Sequence, residues 1–310
     1  MLGKLIGPDD DYAESWEVVD HREDQSVVLA GPHAGRRLGD LVREAPEELL
    51  GKGLRPDRFP LLLKFLDCNR TLSVQVHPDD QQAANLDPPD LGKTEAWVVL
   101  AAEPNSSIYA GLRPGVDRQT LASAVQEGTC EACLHRFTAR PGDVVFIPAG
   151  TVHALGAGLV IAEIQQASDT TFRLFDWGRV DRQGNARPLH IEQSLEVIDF
   201  ARGPVDCQVP QPTEDPQRER LVACEKFRLD RLRFRGERTV GGEGCLHLLA
   251  VLEGAVRISS DPVGESLAVG NSALIPASCP PLAVAASGDV VMLDITLPAG
   301  REGDSRPARA

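Results

Sequence analysis

The sequence predicts a mainly β protein of two β domains with a few peripheral helices, and three observations carry that prediction. Short apolar runs recur along the chain, separated by regular Gly, Pro, Asp and His turn signals, as in sandwiches or barrels rather than βαβ units. The segment Leu72-Ser73-Val74-Gln75-Val76-His77 alternates apolar and polar residues, so an extended strand puts Ser73, Gln75 and His77 on one face and Leu72, Val74 and Val76 on the other. The stretch Arg140–Ala149 is echoed by Ala268–Ala277, with Gly142 on Gly270 and Ile147-Pro148-Ala149 on Ile275-Pro276-Ala277.

A chain of 310 residues, 42% of them hydrophobic, can bury two cores. The net charge of -14 argues against nucleic-acid or anionic-membrane binding, which would need clustered cations, but leaves room for a small phosphorylated ligand met by a few local Lys or Arg. No apolar run reaches membrane-spanning length and Met1-Leu2-Gly3-Lys4 leads into no signal-peptide core, so the expectation is a soluble cytoplasmic protein. Seven cysteines, an odd number in a large chain, are expected to be reduced. Cys130-Glu131-Ala132-Cys133 with His135 lacks the second pair that a structural zinc site needs, and reads as buried thiols near a helix end.

Taken in order, Glu17–Val19 and Val27–Ala30 read as edge strands. Leu38, Leu41, Val42, Leu49 and Leu50 fall at helical intervals, which predicts a helix over 38–50 ended by Gly51. Further helices are predicted over 79–86 and over 117–126, the latter opened by the acidic cap Asp117 and closed at Gly128. Strands follow at 134–138, 143–147, 159–165 and 171–177, then a helix over 190–200. The Pro-, Gln- and acid-rich stretch 203–215 marks a boundary, giving a first domain over 1–205, a second over 206–298 built from short strands, and a disordered tail over 299–310.

The internal echo also lays Val98–Glu103 on Leu248–Glu253, which sets Glu95 against Cys245 and His153 against Pro281. On that register the second domain has lost both ligand positions and is expected to be metal-free.

The chemistry concentrates in the first domain. Gln75 and His77 share a strand face, Glu95 opens an apolar strand, and His153 follows the Pro148-Ala149-Gly150 turn. Two His, one Glu and one Gln form a mixed nitrogen and oxygen set suited to Zn²⁺, with Mn²⁺, Co²⁺ or Fe²⁺ conceivable. Lys93, Glu163, Asp169, Arg173 and Arg179 lie near these residues in sequence. Glu163 is a lone carboxylate in an apolar strand and needs a partner or a function. Arg173 cannot be neutralised, so it is expected to face a cavity or an anion; a cross-strand Glu163–Arg173 ion pair is the plainer alternative.

Five ordered motifs carry a family resemblance: Phe59–Asp67, Leu72–Asp80, Gly92–Trp97, Pro148–Ala154 and Glu163–Arg173. Together they resemble class I mannose-6-phosphate isomerase, in its short bacterial form. The resemblance implies two cupin-type, jelly-roll β-barrel domains and one Zn²⁺ per chain. It also implies that Gln75, His77, Glu95 and His153 are the metal ligands and Arg173 the active-site arginine. Lys93 and Glu163 match residues of acid/base or substrate-positioning roles, Ser73 matches a serine lining the same pocket, and Phe172 stands where the short form often has Tyr. The implied reaction interconverts mannose 6-phosphate and fructose 6-phosphate through an enediol, with a phosphosugar as the partner and Glu163 or Lys93 moving the proton. Two rival readings remain: a facial-triad Fe²⁺ oxygenase, disfavoured by Gln75, Lys93 and Arg173, and a non-catalytic sugar-binding cupin.

Overall fold

The computed structural model describes residues 2–4, 13–181 and 183–298, and is mainly β with few helices. The expected tail over 299–310 lies outside the described residues. Contacts divide the described residues into two compact units, one built mainly from Leu61–Val209 and the other from Glu17–Pro60 together with residues 210–298. The boundary expected at 205/206 is close to the second junction, but Glu17–Pro60 was expected in the first domain and packs instead with the C-terminal segment. The end of helix Pro46–Leu50 explains this: the carbonyls of Glu48, Leu49 and Leu50 accept backbone N–H groups of Ser278, Ala277 and Leu246, satisfying the last turn's orphan acceptors.

In the Leu61–Val209 unit, one antiparallel sheet has the spatial order Glu14–Val18, Leu61–Cys68, Leu159–Gln166, Glu95–Ala102, Val144–Ile147. A second has the order Phe172–Phe175, Val74–Val76, His153–Leu155, Ser107–Leu112, Leu134–Thr138. Strand parity decides what faces what. Leu66, Cys68, Trp97, Val99, Leu159 and Ile161 from the first sheet and Ile108, Ala110 and Leu155 from the second meet in one buried cluster, so these faces are opposed. On the far face of the second sheet, Val74, Val76, Tyr109, Ala154 and Leu174 pack under helices Arg118–Gln126 and Ile191–Val197 and the 3-10 turn Cys130–Cys133. By the same parity Lys64, Glu95 and Glu163 project inward between the sheets with Trp97, Leu66 and Ile161.

The local elements follow their sequence signals with shortened ends. Asp79 caps Asp80–Ala83 through a reciprocal capping box with Gln82, and Asp117 caps Arg118–Gln126 by accepting the Thr120 N–H. Pro46 splits the helix expected over 38–50 into Leu38–Glu44 and Pro46–Leu50, because proline supplies no N–H to continue the ladder. The edge strand expected at Val27–Ala30 does not form; Val27 makes one isolated bridge to Arg37, and Leu29 is 84% exposed. Leu72 sits outside the short strand Val74–Val76 and packs with the intersheet cluster rather than with Val74 and Val76.

The second unit holds an eight-stranded sheet, with Arg218–Ala223, Arg228–Val240, Leu282–Thr296, His247–Glu253 and Ser272–Ile275 in spatial order. Two of these strands are long, 13 and 15 residues, where short ones were expected. The order matches that of the first unit's sheet that carries Glu95 and Glu163, and the pairings correct the echo. Glu95 pairs with Ile147, while it is His247, not Cys245, that pairs with Ile275. Trp97 pairs with Glu163 as Leu249 pairs with Asp294, and Glu163 pairs with Lys64 as Asp294 pairs with Asp230. The repeat is therefore offset by two residues from the register expected along the Glu95 strand. Among the described residues no helix is long and apolar enough to cross a membrane.

Candidate metal centre

Antiparallel pairing of Val74–Val76 with His153–Leu155 sets Gln75 opposite His153. The Gly150 N–H donates to the His77 carbonyl at 2.8 Å, tying the turn before His153 to the end of the strand that carries Gln75. Glu95 enters from the facing sheet. Its Oε1 lies 3.2 Å from His153 Nε2 and its Oε2 3.6 Å from His77 Nε2, and all three side chains are about 1% exposed. The side-chain amide of Gln75 lies 3.2 Å from His153 Nε2; a half-turn of that amide presents its oxygen to the same point.

Hydrogen bonding fixes the direction of both imidazoles. His77 Nδ1 donates to the Thr170 carbonyl and His153 Nδ1 to the Thr151 carbonyl, each at 2.9 Å. Both Nε2 lone pairs are thereby turned toward Glu95. Neither His77 Nε2 nor either Glu95 oxygen has a hydrogen-bond partner, although all three are buried. Acceptors buried without hydrogen bonds are costly unless positive charge lies close by, which Lys93 supplies in part and a bound cation would complete. Burial, with the nearby Lys93 charge, holds His77 well below the usual histidine range, and burial lowers His153 to about 4, so both imidazoles are neutral at ordinary pH. Tetrahedral zinc ligands would be about 3.3–3.8 Å apart, close to the spacings found. His77, Glu95 and His153 form a buried group that can hold a metal ion.

Around this group the expected residues divide. Lys93 is buried, and its ammonium is 3.5 Å from Glu95 Oε2. It is held by a loop in which its N–H bonds the Pro78 carbonyl and Gly92 abuts the Asp79–Asp80 backbone with no room for a Cβ. Ser73 is buried next to the strand that carries Gln75. Arg173 is the cross-strand partner of Gln75. Its guanidinium donates to the Pro188 carbonyl at 2.9 Å, while its buried Nε has no partner, and burial lowers its pKa. Glu163 does not pair with Arg173; it pairs with Lys64 at 3.2 Å. Burial raises the Glu163 carboxyl, with the Glu95 charge adding to it; burial opposes the Lys64 charge, but Glu163, Glu14 and Glu95 together raise that group.

Lys64 was missed as a site residue, although the signal was present: a lysine inside Leu61-Leu62-Leu63-Lys64-Phe65-Leu66 needs a buried partner as much as Glu163 does. Asp169 is exposed, and Arg179 is engaged by Asp176 and the Thr71 carbonyl. Cys130 and Cys133 are buried in the core on the helix side, and all seven cysteines are free.

Residues 4–103 match the family model described as phosphomannose isomerase type I, catalytic domain. The chain is 35% identical over 270 residues to mannose-6-phosphate isomerase ManA of Bacillus subtilis, covering 87% of this chain and 85% of that protein. The chain belongs to the type I mannose-6-phosphate isomerase family. A Streptococcus mutans mannose-6-phosphate isomerase is 33% identical over 269 residues, covering 87% of this chain and 84% of the relative. The crystal structure of the B. subtilis mannose 6-phosphate isomerase superposes with a TM-score of 0.85 at 28% identity, over 95% of this chain and 92% of that one. Membership of this isomerase family makes the chain an enzyme, and the buried His–Glu–His group agrees with the metal dependence of the family.

Proposed function

We propose that this enzyme interconverts mannose 6-phosphate and fructose 6-phosphate with one Zn²⁺ held by Gln75, His77, Glu95 and His153. The observation that carries the reading is the convergence of buried acceptors without hydrogen bonds on His77 and Glu95, beside Lys93, in a member of this family. Two histidine nitrogens and carboxylate and amide oxygens favour zinc over the oxygen-only cages of Mg²⁺ or Ca²⁺. Zinc would act there as a Lewis acid toward the sugar's O1 and O2.

The chain's own residues supply the rest. Moving a proton from C2 to C1 passes through an enediol whose oxyanion needs stabilisation. Arg173, with an unsatisfied buried donor and a strand position beside Gln75, is assigned to that charge. Lys93 and Glu163 are assigned to proton transfer and sugar positioning; burial and the Glu95 charge raise the Glu163 carboxyl above its ordinary value, which makes it a better base than a free carboxylate. Arg173, Arg179 and Arg187 gather around the single carboxylate of Asp176. That leaves local positive charge, in a chain of net charge -14, for a phosphate. Ser73 is assigned to the pocket wall.

We further infer that the two facing five-stranded sheets form a cupin-type jelly roll, that the eight-stranded unit is its repeat, and that catalysis belongs to the first unit alone. The test is metal content measured together with isomerase turnover before and after chelation. Zinc bound near one equivalent at the His–Glu–His group, with turnover lost on chelation and restored by zinc, supports the reading. Iron with oxygen consumption, or zinc binding without turnover, overturns it.

A further inference from the structure

The two-residue correction of the repeat puts a metal-ligating side chain, His247, at the strand position that Glu95 holds in the first unit, and a carboxylate, Asp294, at the position of Glu163. His247 Nδ1 bonds Asp294 Oδ1 at 2.8 Å. Asp294 is fully buried, and its other oxygen accepts from Arg218 at 2.7 Å; Arg218 also reaches Asp230 at 2.8 Å. This relay fixes the ring so that Nε2 points away from Asp294. There it meets Cys245 Sγ at 3.5 Å and Glu243 Oε2 at 3.2 Å.

The three groups are alternate residues of Glu243-Gly244-Cys245-Leu246-His247, with Leu246 fully buried between them. Their ligand atoms all lie within 4.8 Å of one another. A tetrahedral zinc ion with ordinary bond lengths would separate nitrogen from sulfur by about 3.5 Å and nitrogen from oxygen by about 3.3 Å. The spacings found fit that geometry. An imidazole whose far nitrogen is held by a buried carboxylate is also the usual support for a histidine on a metal.

We propose that the second unit carries its own divalent-metal site, with Glu243, Cys245 and His247 as ligands and Asp294 positioning the imidazole. A thiolate, an imidazole and a carboxylate select zinc or cobalt over magnesium or calcium, and three protein donors leave a fourth position for water. The expectation of a metal-free second domain rested on setting Glu95 against Cys245 and His153 against Pro281; the observed pairing removes the first ground, and the ligands proposed here need no counterpart of His153. The proposal does not depend on the isomerase reading, because none of its residues belongs to the first centre.

The test is a Co²⁺ titration of the metal-stripped full-length chain, followed by absorption and by metal stoichiometry. Two equivalents are expected, one of them with a thiolate-to-cobalt charge-transfer band in the near ultraviolet. The first centre offers only nitrogen and oxygen donors, so the band reads the second site alone and persists in His153→Ala. Cys245→Ser is expected to abolish the band and one equivalent. Glu243→Gln alters an exposed side chain and so keeps the fold while weakening Co²⁺ at this site, and Asp294→Asn should weaken it by about 10–100-fold. A single equivalent with no band in the unsubstituted chain overturns the site, as does a band that survives Cys245→Ser. Unchanged affinity in Glu243→Gln removes Glu243 from the ligand set.

Discussion

Replacing Lys64 with Met tests whether the Glu163 carboxylate is held in the core by this one ammonium. Both side chains are under 10% exposed and lie 3.2 Å apart, and methionine keeps most of the lysine's apolar length while removing its charge. The carboxyl left behind has two choices: remain ionised and unpaired, which costs roughly 3–5 kcal/mol, or take a proton. Protonation sets the ceiling. From an unfolded value of 4.5, holding the carboxyl neutral costs about 4 kcal/mol at pH 7.5 and about 1.4 kcal/mol at pH 5.5, at 1.36 kcal/mol per unit. The sign follows from linkage: a folded pKa above the unfolded one means that the folded state binds more protons, so stability falls as pH rises. Lys64→Met should therefore lose up to about 4 kcal/mol at pH 7.5, and that loss should shrink toward about 1.4 kcal/mol at pH 5.5. Urea denaturation followed by tryptophan fluorescence reads the correct unit, since Trp16, Trp97 and Trp177 all fall within it. The double variant Lys64→Met/Glu163→Gln should lose the pH dependence. A loss in Lys64→Met that is the same at both pH values, or below about 1 kcal/mol at pH 7.5, would refute the pairing as the support of Glu163.

Arg173→Ala should keep bound metal at the unsubstituted level while lowering kcat by about 10²–10³, the usual cost of removing one oxyanion donor; equal turnover in the two proteins ends its proposed role. His153→Ala should lose the metal of the first centre and with it the ligand-linked stabilisation, about 2.7 kcal/mol at a metal concentration of 100 Kd, read by tryptophan fluorescence as a first-unit melting transition that no longer shifts with added zinc. Gly92→Ala would put a methyl group 2.5 Å from the Asp80 backbone nitrogen, so the loop must shift and carry Lys93 with it. Turnover should fall with metal content retained, and unchanged kinetics would show that the position of Lys93 is not critical. Asp79→Ala should cost about 1 kcal/mol through loss of the capping box behind His77, measured by the same fluorescence assay.

The residues that gather around His77, Glu95 and His153 were legible because each has a local signature. Alternation placed Gln75 and His77 on one face, the Pro148-Ala149-Gly150 turn announced the start of a strand, and a glutamate opening an apolar run marked Glu95. What sequence could not show was partnership across the sheet. Glu163 had an obvious need for a cation, and both Arg173 and Lys64 could meet it in composition. Only the ladder between Leu159–Gln166 and Leu61–Cys68 decides for Lys64. The division into units was hidden for a similar reason: Glu17–Pro60 joins the C-terminal segment through backbone hydrogen bonds, which leave no side-chain pattern.

The misread register of the repeat has a more specific cause. A one-residue slip turns every side chain to the opposite face and is excluded at once by the apolar pattern. A two-residue slip preserves parity. Laying Val99 on Leu249 or on Val251 puts an inward apolar residue on an inward apolar residue either way, and both positions belong to the second unit's core. Apolar patterning therefore cannot choose between the two alignments; the polar residues can. In the register the strands adopt, Glu95 falls on His247, Glu163 on Asp294 and Lys64 on Asp230. At all three positions an ionisable side chain faces an ionisable side chain, and each has a charged partner: Asp230 and Asp294 share Arg218, and His247 is bound to Asp294. Buried polar side chains that must be satisfied in sets are thus the register marks of this repeat, and the second unit has kept such a set where an apolar core would have served stability as well.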